Sequence, residues 1–83
     1  MHEYSLVQAM FDQIGEIIAG QRARSVRRVR VRIGTDAGVE PVLFQTAYDV
    51  FRVKTFCADA PLEIVTVERS DELVLAQLEL EVA

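Results

Sequence analysis

Near the start of the chain, apolar residues recur at three- and four-residue intervals. Val7, Met10, Phe11, Ile14, Ile17 and Ile18 form one stripe, and Gln8, Asp12, Gln13 and Glu16 lie towards water. That spacing predicts an amphipathic helix. Ser5 can cap it, Gly15 weakens it slightly and Gly20 can end it, so the helix is expected over residues 5–19. Beyond a polar link at 21–24 the period changes from three or four to two. Val29, Val31 and Ile33 alternate with Arg28, Arg30 and Arg32, which predicts a strand over 26–33. Glu40-Pro41 opens a second helix reaching about residue 54, with proline in the first turn and the acid at the positive end of the dipole. Its predicted apolar face is Leu43, Phe44, Ala47, Val50 and Phe51. Because that spacing is helical, it marks the aromatic residues as core rather than as a stacking platform. Two more strands follow, over 62–67 and 72–82, joined by the polar turn Glu68-Arg69-Ser70-Asp71. In the last strand Val74, Ala76, Leu78, Leu80 and Val82 are expected to face the helices, with Leu75, Gln77, Glu79 and Glu81 on the other side.

The element order is therefore α-β-α-β-β, an α+β fold with a three-stranded sheet and two helices packed on one face. The short turn suggests that the last two strands form an antiparallel hairpin. The helix between the first two strands suggests a parallel crossover. Together these place the third strand between the other two. No repeat, low-complexity tract or domain boundary interrupts residues 1–83, so a single domain is expected.

Composition narrows the function classes. The 83 residues are 51% hydrophobic and 27% charged, a globular balance with no excess of Pro or Gly. A core this small is marginal, and a homodimer would help to stabilise it. The net charge of −4 argues against nucleic acid as the main partner. No apolar run approaches the roughly 20 residues needed to span a bilayer, and no basic-then-apolar leader is visible; a cytoplasmic protein is expected. The one cysteine, Cys57, excludes an internal disulfide framework and a cysteine-based zinc site within one chain. Lys54 is its only cationic sequence neighbour, so Cys57 reads as incidental rather than reactive. The segment Gly34-Thr35-Asp36-Ala37-Gly38 lacks the spacing and lysine of a phosphate-binding loop. An enzyme is not expected. The only histidine is His2, which leaves no Ser-His-Asp or Cys-His set. Glu3 and Glu40 can meet in space, yet their spacing demands no acid–base role.

The candidate chemistry lies at the two ends of the charge pattern. A histidine in second position sits one peptide from the α-amino group. The amine, the intervening amide nitrogen and the imidazole can close two chelate rings on one metal ion, a nitrogen-rich planar set suited to Ni(II) or Cu(II). A side chain as large as histidine at position 2 should hinder removal of the initiator methionine, so the amine is expected to belong to Met1. The second feature is the basic strand face of Arg28, Arg30 and Arg32, which can dock an acidic partner. Alternatively it pairs with acids of a neighbouring strand, and Glu79 and Glu81 are the expected acids.

Met1-His2-Glu3-Tyr4-Ser5-Leu6-Val7, Val29-Arg30-Val31-Arg32-Ile33-Gly34 and Gly38-Val39-Glu40-Pro41 closely resemble the HypA/HybF family. Asp71-Glu72-Leu73 and Leu78-Glu79-Leu80-Glu81 resemble that family's last strand. The family comprises nickel metallochaperones for maturation of [NiFe]-hydrogenase and, in some organisms, urease. The resemblance implies a nickel site at Met1, His2 and Glu3, made of the terminal amine, the imidazole and nearby backbone amides, with Glu3 able to tune it. It implies Ni(II) held transiently, and a hydrogenase precursor or another nickel-maturation protein as partner. Because the ligands must lose protons, affinity should fall at acidic pH. The family carries a zinc domain with two CxxC pairs between the second and third strands. Here only residues 68–71 stand in that gap, so no structural zinc is expected. That departure keeps a second reading open: a metal-independent assembly module that retains the fold and docks a partner on Arg28, Arg30 and Arg32.

Overall fold

A computed structural model describes residues 2–82, the side chain of His2 excepted. Five elements follow in order: α1 (His2–Gln21), β1 (Ala23–Gly34), α2 (Pro41–Phe51), β2 (Leu62–Val67) and β3 (Leu73–Val82). The two helices and the mixed three-stranded sheet match the expected α+β order. Helix α1 lies against β1 and β3, and α2 lies beside α1 and against β2. No helix of the described residues is long and apolar enough to cross a membrane.

The strand order differs from the expected one. It is β2-β1-β3, with β1 in the centre, parallel to β2 and antiparallel to β3. The parallel crossover is present, but β2 and β3 form no hairpin. Instead the chain between them passes over the end of β1. Thr35 donates its N–H to the Val67 carbonyl at 2.9 Å, Gly34 to Glu72 at 2.8 Å and Asp36 to Ser70 at 2.8 Å. The Arg69 N–H in turn donates to Thr35 Oγ1 at 3.0 Å. The physical reason lies in β1 itself. Val26, Val29, Val31 and Ile33 are buried, which makes it the strand with the most apolar surface to cover on one face. Its arginines draw acids from both flanks. Gly34 allows the crossing, because a Cβ there would lie 2.0 Å from the Ser70 carbonyl oxygen.

The core joins Val7, Met10 and Ile14 of α1, the four buried β1 residues, Phe44, Ala47 and Tyr48 of α2, and Cys57 and Ala60 of the following loop. Two side-chain expectations need correction. In α2, Tyr48 is fully buried, whereas Leu43 and Val50 are 52% and 58% exposed. The Tyr48 hydroxyl is satisfied by the Ala60 carbonyl at 2.7 Å. This helix is apolar on two faces, so periodicity could not say which face packs inward, and it ends at Phe51 rather than near residue 54. In β3 the pairing steps from Arg30↔Gln77 to Val31↔Leu75, leaving Ala76 as the extra residue of a bulge. The bulge reverses the alternation. Leu73 and Leu75 therefore join Leu78 and Leu80 against the core, while Val74 is exposed.

Candidate metal-binding terminus

Helix α1 begins at His2, three residues ahead of the expected Ser5 cap, and Ser5 is an exposed residue inside it. Glu3 takes the capping role. Its carboxylate Oε2 accepts the Glu40 N–H at 3.1 Å, and only 6% of the residue is exposed. The bond from Glu40, followed by one from the Glu3 N–H itself, holds this carboxyl below its usual value of 4.5. A negative charge buried there complements the positive end of the α1 dipole. Glu40 in turn caps α2, its carboxylate accepting the Val42 N–H at 3.2 Å. The starts of both helices are thus joined through one acid, which meets the Glu40 backbone, while the Glu40 carboxylate is turned to Val42. A separate contact ties the start of α1 to the end of α2, the Tyr4 ring lying 5.8 Å from that of Phe51.

Of the predicted nickel residues, Met1 and the imidazole of His2 lie outside the described atoms. What the fold supplies is their support. The first N–H groups of an α-helix have no acceptor within the helix, so an amide of the first turn can lose its proton to a metal without breaking the ladder. The positive end of the dipole opposes a cation, and the buried Glu3 carboxylate offsets that opposition. Among the described residues, no group of three or more His, Cys, Asp or Glu side chains comes together. Cys57 is fully buried, and burial pushes its thiol up to about 11, so it is protonated near neutral pH and unsuited to nucleophilic work.

The arginine face is paired. Arg28 reaches Glu79 at 3.7 Å, Arg30 reaches Glu63 at 2.9 Å and Arg32 reaches Glu72 at 2.8 Å. Of the two expected acids only Glu79 pairs with an arginine. Glu63 lies on β2, Glu72 on the crossing segment, and Glu81 accepts the Ser25 hydroxyl instead. Being exposed, these pairs each stabilise by about a few tenths of a kcal/mol and chiefly fix register. An acidic partner on this face would have to displace all three acids.

Glu3 and Glu72 set an acid limit. Arg32, then the Ser70 hydroxyl, hold Glu72 below its usual 4.5. A depressed carboxyl contributes stability that is full above its unfolded pKa and is lost as pH falls through its folded value. Melting followed by circular dichroism from neutral pH to about pH 3 should show loss beginning near 4.5, and Glu3→Gln/Glu72→Gln should flatten that slope. An unchanged slope would refute the assignment.

A model of the family described as hydrogenase/urease nickel incorporation, metallochaperone, HypA matches residues 1–72. Proteins named hydrogenase maturation factor HypA are similar in sequence. The one from Shewanella sp. strain MR-7 is 39% identical over 64 residues, which is 77% of this chain and 54% of that protein. Those from Wolinella succinogenes and Aquifex aeolicus are each 38% identical, over 80% and 83% of this chain and 56% and 59% of theirs. The chain therefore spans about half the length of the curated relatives it matches. In structure it resembles the solution structure of the Ni metallochaperone HypA from Helicobacter pylori, with a TM-score of 0.84 over 98% of both chains at 23% identity, a likeness of fold. A second HypA solution structure matches with a TM-score of 0.70 at 28% identity, over 93% of this chain and 71% of that one. The Met-His-Glu start of the sequence, a first helix locked to its neighbour through Glu3, and the match in sequence and fold place the chain in the HypA family of hydrogenase/urease nickel-incorporation metallochaperones.

Proposed function

We propose that this chain binds one Ni(II) at its N-terminus and passes it to the precursor of a nickel enzyme such as [NiFe]-hydrogenase, directly or through another maturation protein. The donors are the Met1 amine, the His2 imidazole and the first backbone amides up to Glu3. The observation that carries this reading is the buried Glu3 carboxylate holding the start of α1 against the N–H of Glu40. It fixes the start of the helix next to the donors in sequence and supplies negative charge for an incoming cation. Nickel is cargo here, held transiently, and the single domain of residues 1–83 works in the cytoplasm without structural zinc.

Titration of tag-free protein with Ni(II), followed by absorbance, tests the reading. One equivalent is expected to give the spectrum of a planar, nitrogen-ligated d⁸ ion, and His2→Ala should abolish it. No binding, or the same binding in His2→Ala, would sink the proposal.

A further inference from the structure

The six arginines of β1 and its approach divide into two classes. Arg28, Arg30 and Arg32 are held by acids. Arg22, Arg24 and Arg27 are exposed and make no ion pair among the described residues. Backbone geometry accounts for two of them. Pairing between β1 and β3 shifts between Ala23 and Ser25 and again between Val26 and Arg28, so Arg24 and Arg27 are the extra residues of two bulges. A bulged residue has no partner across the ladder and is re-aimed away from it. Arg22, in the left-handed region at φ 54°, turns the chain from α1 into β1 beside them.

Of these arginines Arg27 lines a cavity of about 390 Å³, together with Ser25, Thr55, Asp59 and Glu81 among others, and Arg22 and Arg24 precede it in the same segment. Lys54, at φ 64°, is exposed next to Thr55. Four cations against Asp59, Glu81 and Glu16, the last beside Thr55 and Phe56, leave this end of the molecule near +1, although the whole chain carries −4. The 20 residues of α1, at 1.5 Å each, put it about 30 Å from the start of that helix.

We infer that the end formed by Arg22, Arg24 and Arg27 with the cavity beside Thr55 docks an acidic segment of another protein. Arg24 and Arg27 each present a guanidinium fork to a carboxylate of that segment. The acids Asp59 and Glu81 at the rim favour a segment with spaced carboxylates over a continuous polyanion such as nucleic acid. A partner held there leaves the opposite end uncovered. The inference is independent of whether nickel binds.

The test is an amide NMR titration of the whole chain with a peptide whose glutamates are spaced by Ser and Gly, and in parallel with a single-stranded oligonucleotide of equal charge. Peptide-induced shifts are expected at residues 22–27 and 54–59 and should weaken as salt is raised. Arg24→Glu/Arg27→Glu should raise the peptide Kd by about tenfold or more, equivalent to loss of one charge-assisted pair. Arg24→Gln/Arg27→Gln should weaken it less, and Arg69→Glu, at the other end of the molecule, should leave it unchanged. Retained dispersion of the amide spectrum confirms that the variants fold. Absence of shifts, shifts centred on Arg28 to Arg32, native-like binding by the double reversal, or tighter binding of the oligonucleotide would each overturn the inference.

Discussion

Gly34→Ala is expected to destabilise the fold by about 3 kcal/mol, the upper part of the range for overpacking a closed site. For a domain of this size that corresponds to a fall in Tm of roughly 12–24 °C. The new methyl group would sit 2.0 Å from the Ser70 carbonyl oxygen and 2.9 Å from the Ser70 Cβ. The crossing segment cannot retreat cheaply. Its Ser70 and Glu72 carbonyls accept N–H groups from Asp36 and Gly34, both at 2.8 Å, and moving the segment would orphan them. Gly20→Ala is the matched control. Nothing lies within 4 Å of a Cβ built there, and alanine favours the helix. Thermal unfolding of both variants decides the matter: equal Tm values for Gly34→Ala and the native chain would show that the crossing yields.

Extending the chain ahead of Met1, with His2 intact, is expected to weaken Ni(II) binding by more than the roughly 10–100-fold that accompanies loss of an outer-shell partner. The extension turns the primary amine into an amide and removes one corner of the proposed planar set, while the fold, the Glu3 to Glu40 bond and the imidazole all remain. The variant thus separates the chelate from the scaffold. Competition against a colorimetric nickel indicator at several pH values measures it. In the native chain affinity should drop as pH falls, because amine, amide and imidazole must all be deprotonated. Undiminished binding by the extended chain would place the metal elsewhere, and the proposal for the terminus would fall.

Both helices were legible as segments, but only α1 showed its inward face, since α2 is apolar on two sides and buries Tyr48 where Leu43 and Val50 were expected. Val7, Met10 and Ile14 stand on the face that the sequence picks out. The strands were legible as segments, but their order was not. A four-residue polar turn between two apolar runs ordinarily signals a hairpin, and nothing local in residues 68–71 distinguishes a turn from a bridge over another strand. The distinguishing signal sits elsewhere, in Gly34 and in arginines that need acids on both flanks. The Ala76 bulge was equally invisible, since one extra residue reverses a strand's facing without changing its composition. At the candidate site, the pairing of Met1 with His2 was readable as ligand chemistry. The role of Glu3 was not, because its partner is a backbone N–H 37 residues away, and a backbone donor leaves no mark in a sequence. Bulged Arg24 and Arg27 looked the same as the paired arginines beside them for a similar reason: pairing depends on register, which side-chain type alone does not set.

The central place of β1 also bears on the order of assembly. Strand β2 completes a local α-β-α-β unit, and β3 can pair only with a strand 40 to 59 residues behind it, as in Ile33↔Leu73 and Ala23↔Val82. Closing so long a loop costs entropy before any contact repays it. The β3 edge of β1 should therefore stay open through most of folding, with β3 docking as the last step. Mutations along β3, such as Leu78→Ala, should then speed unfolding far more than they slow folding.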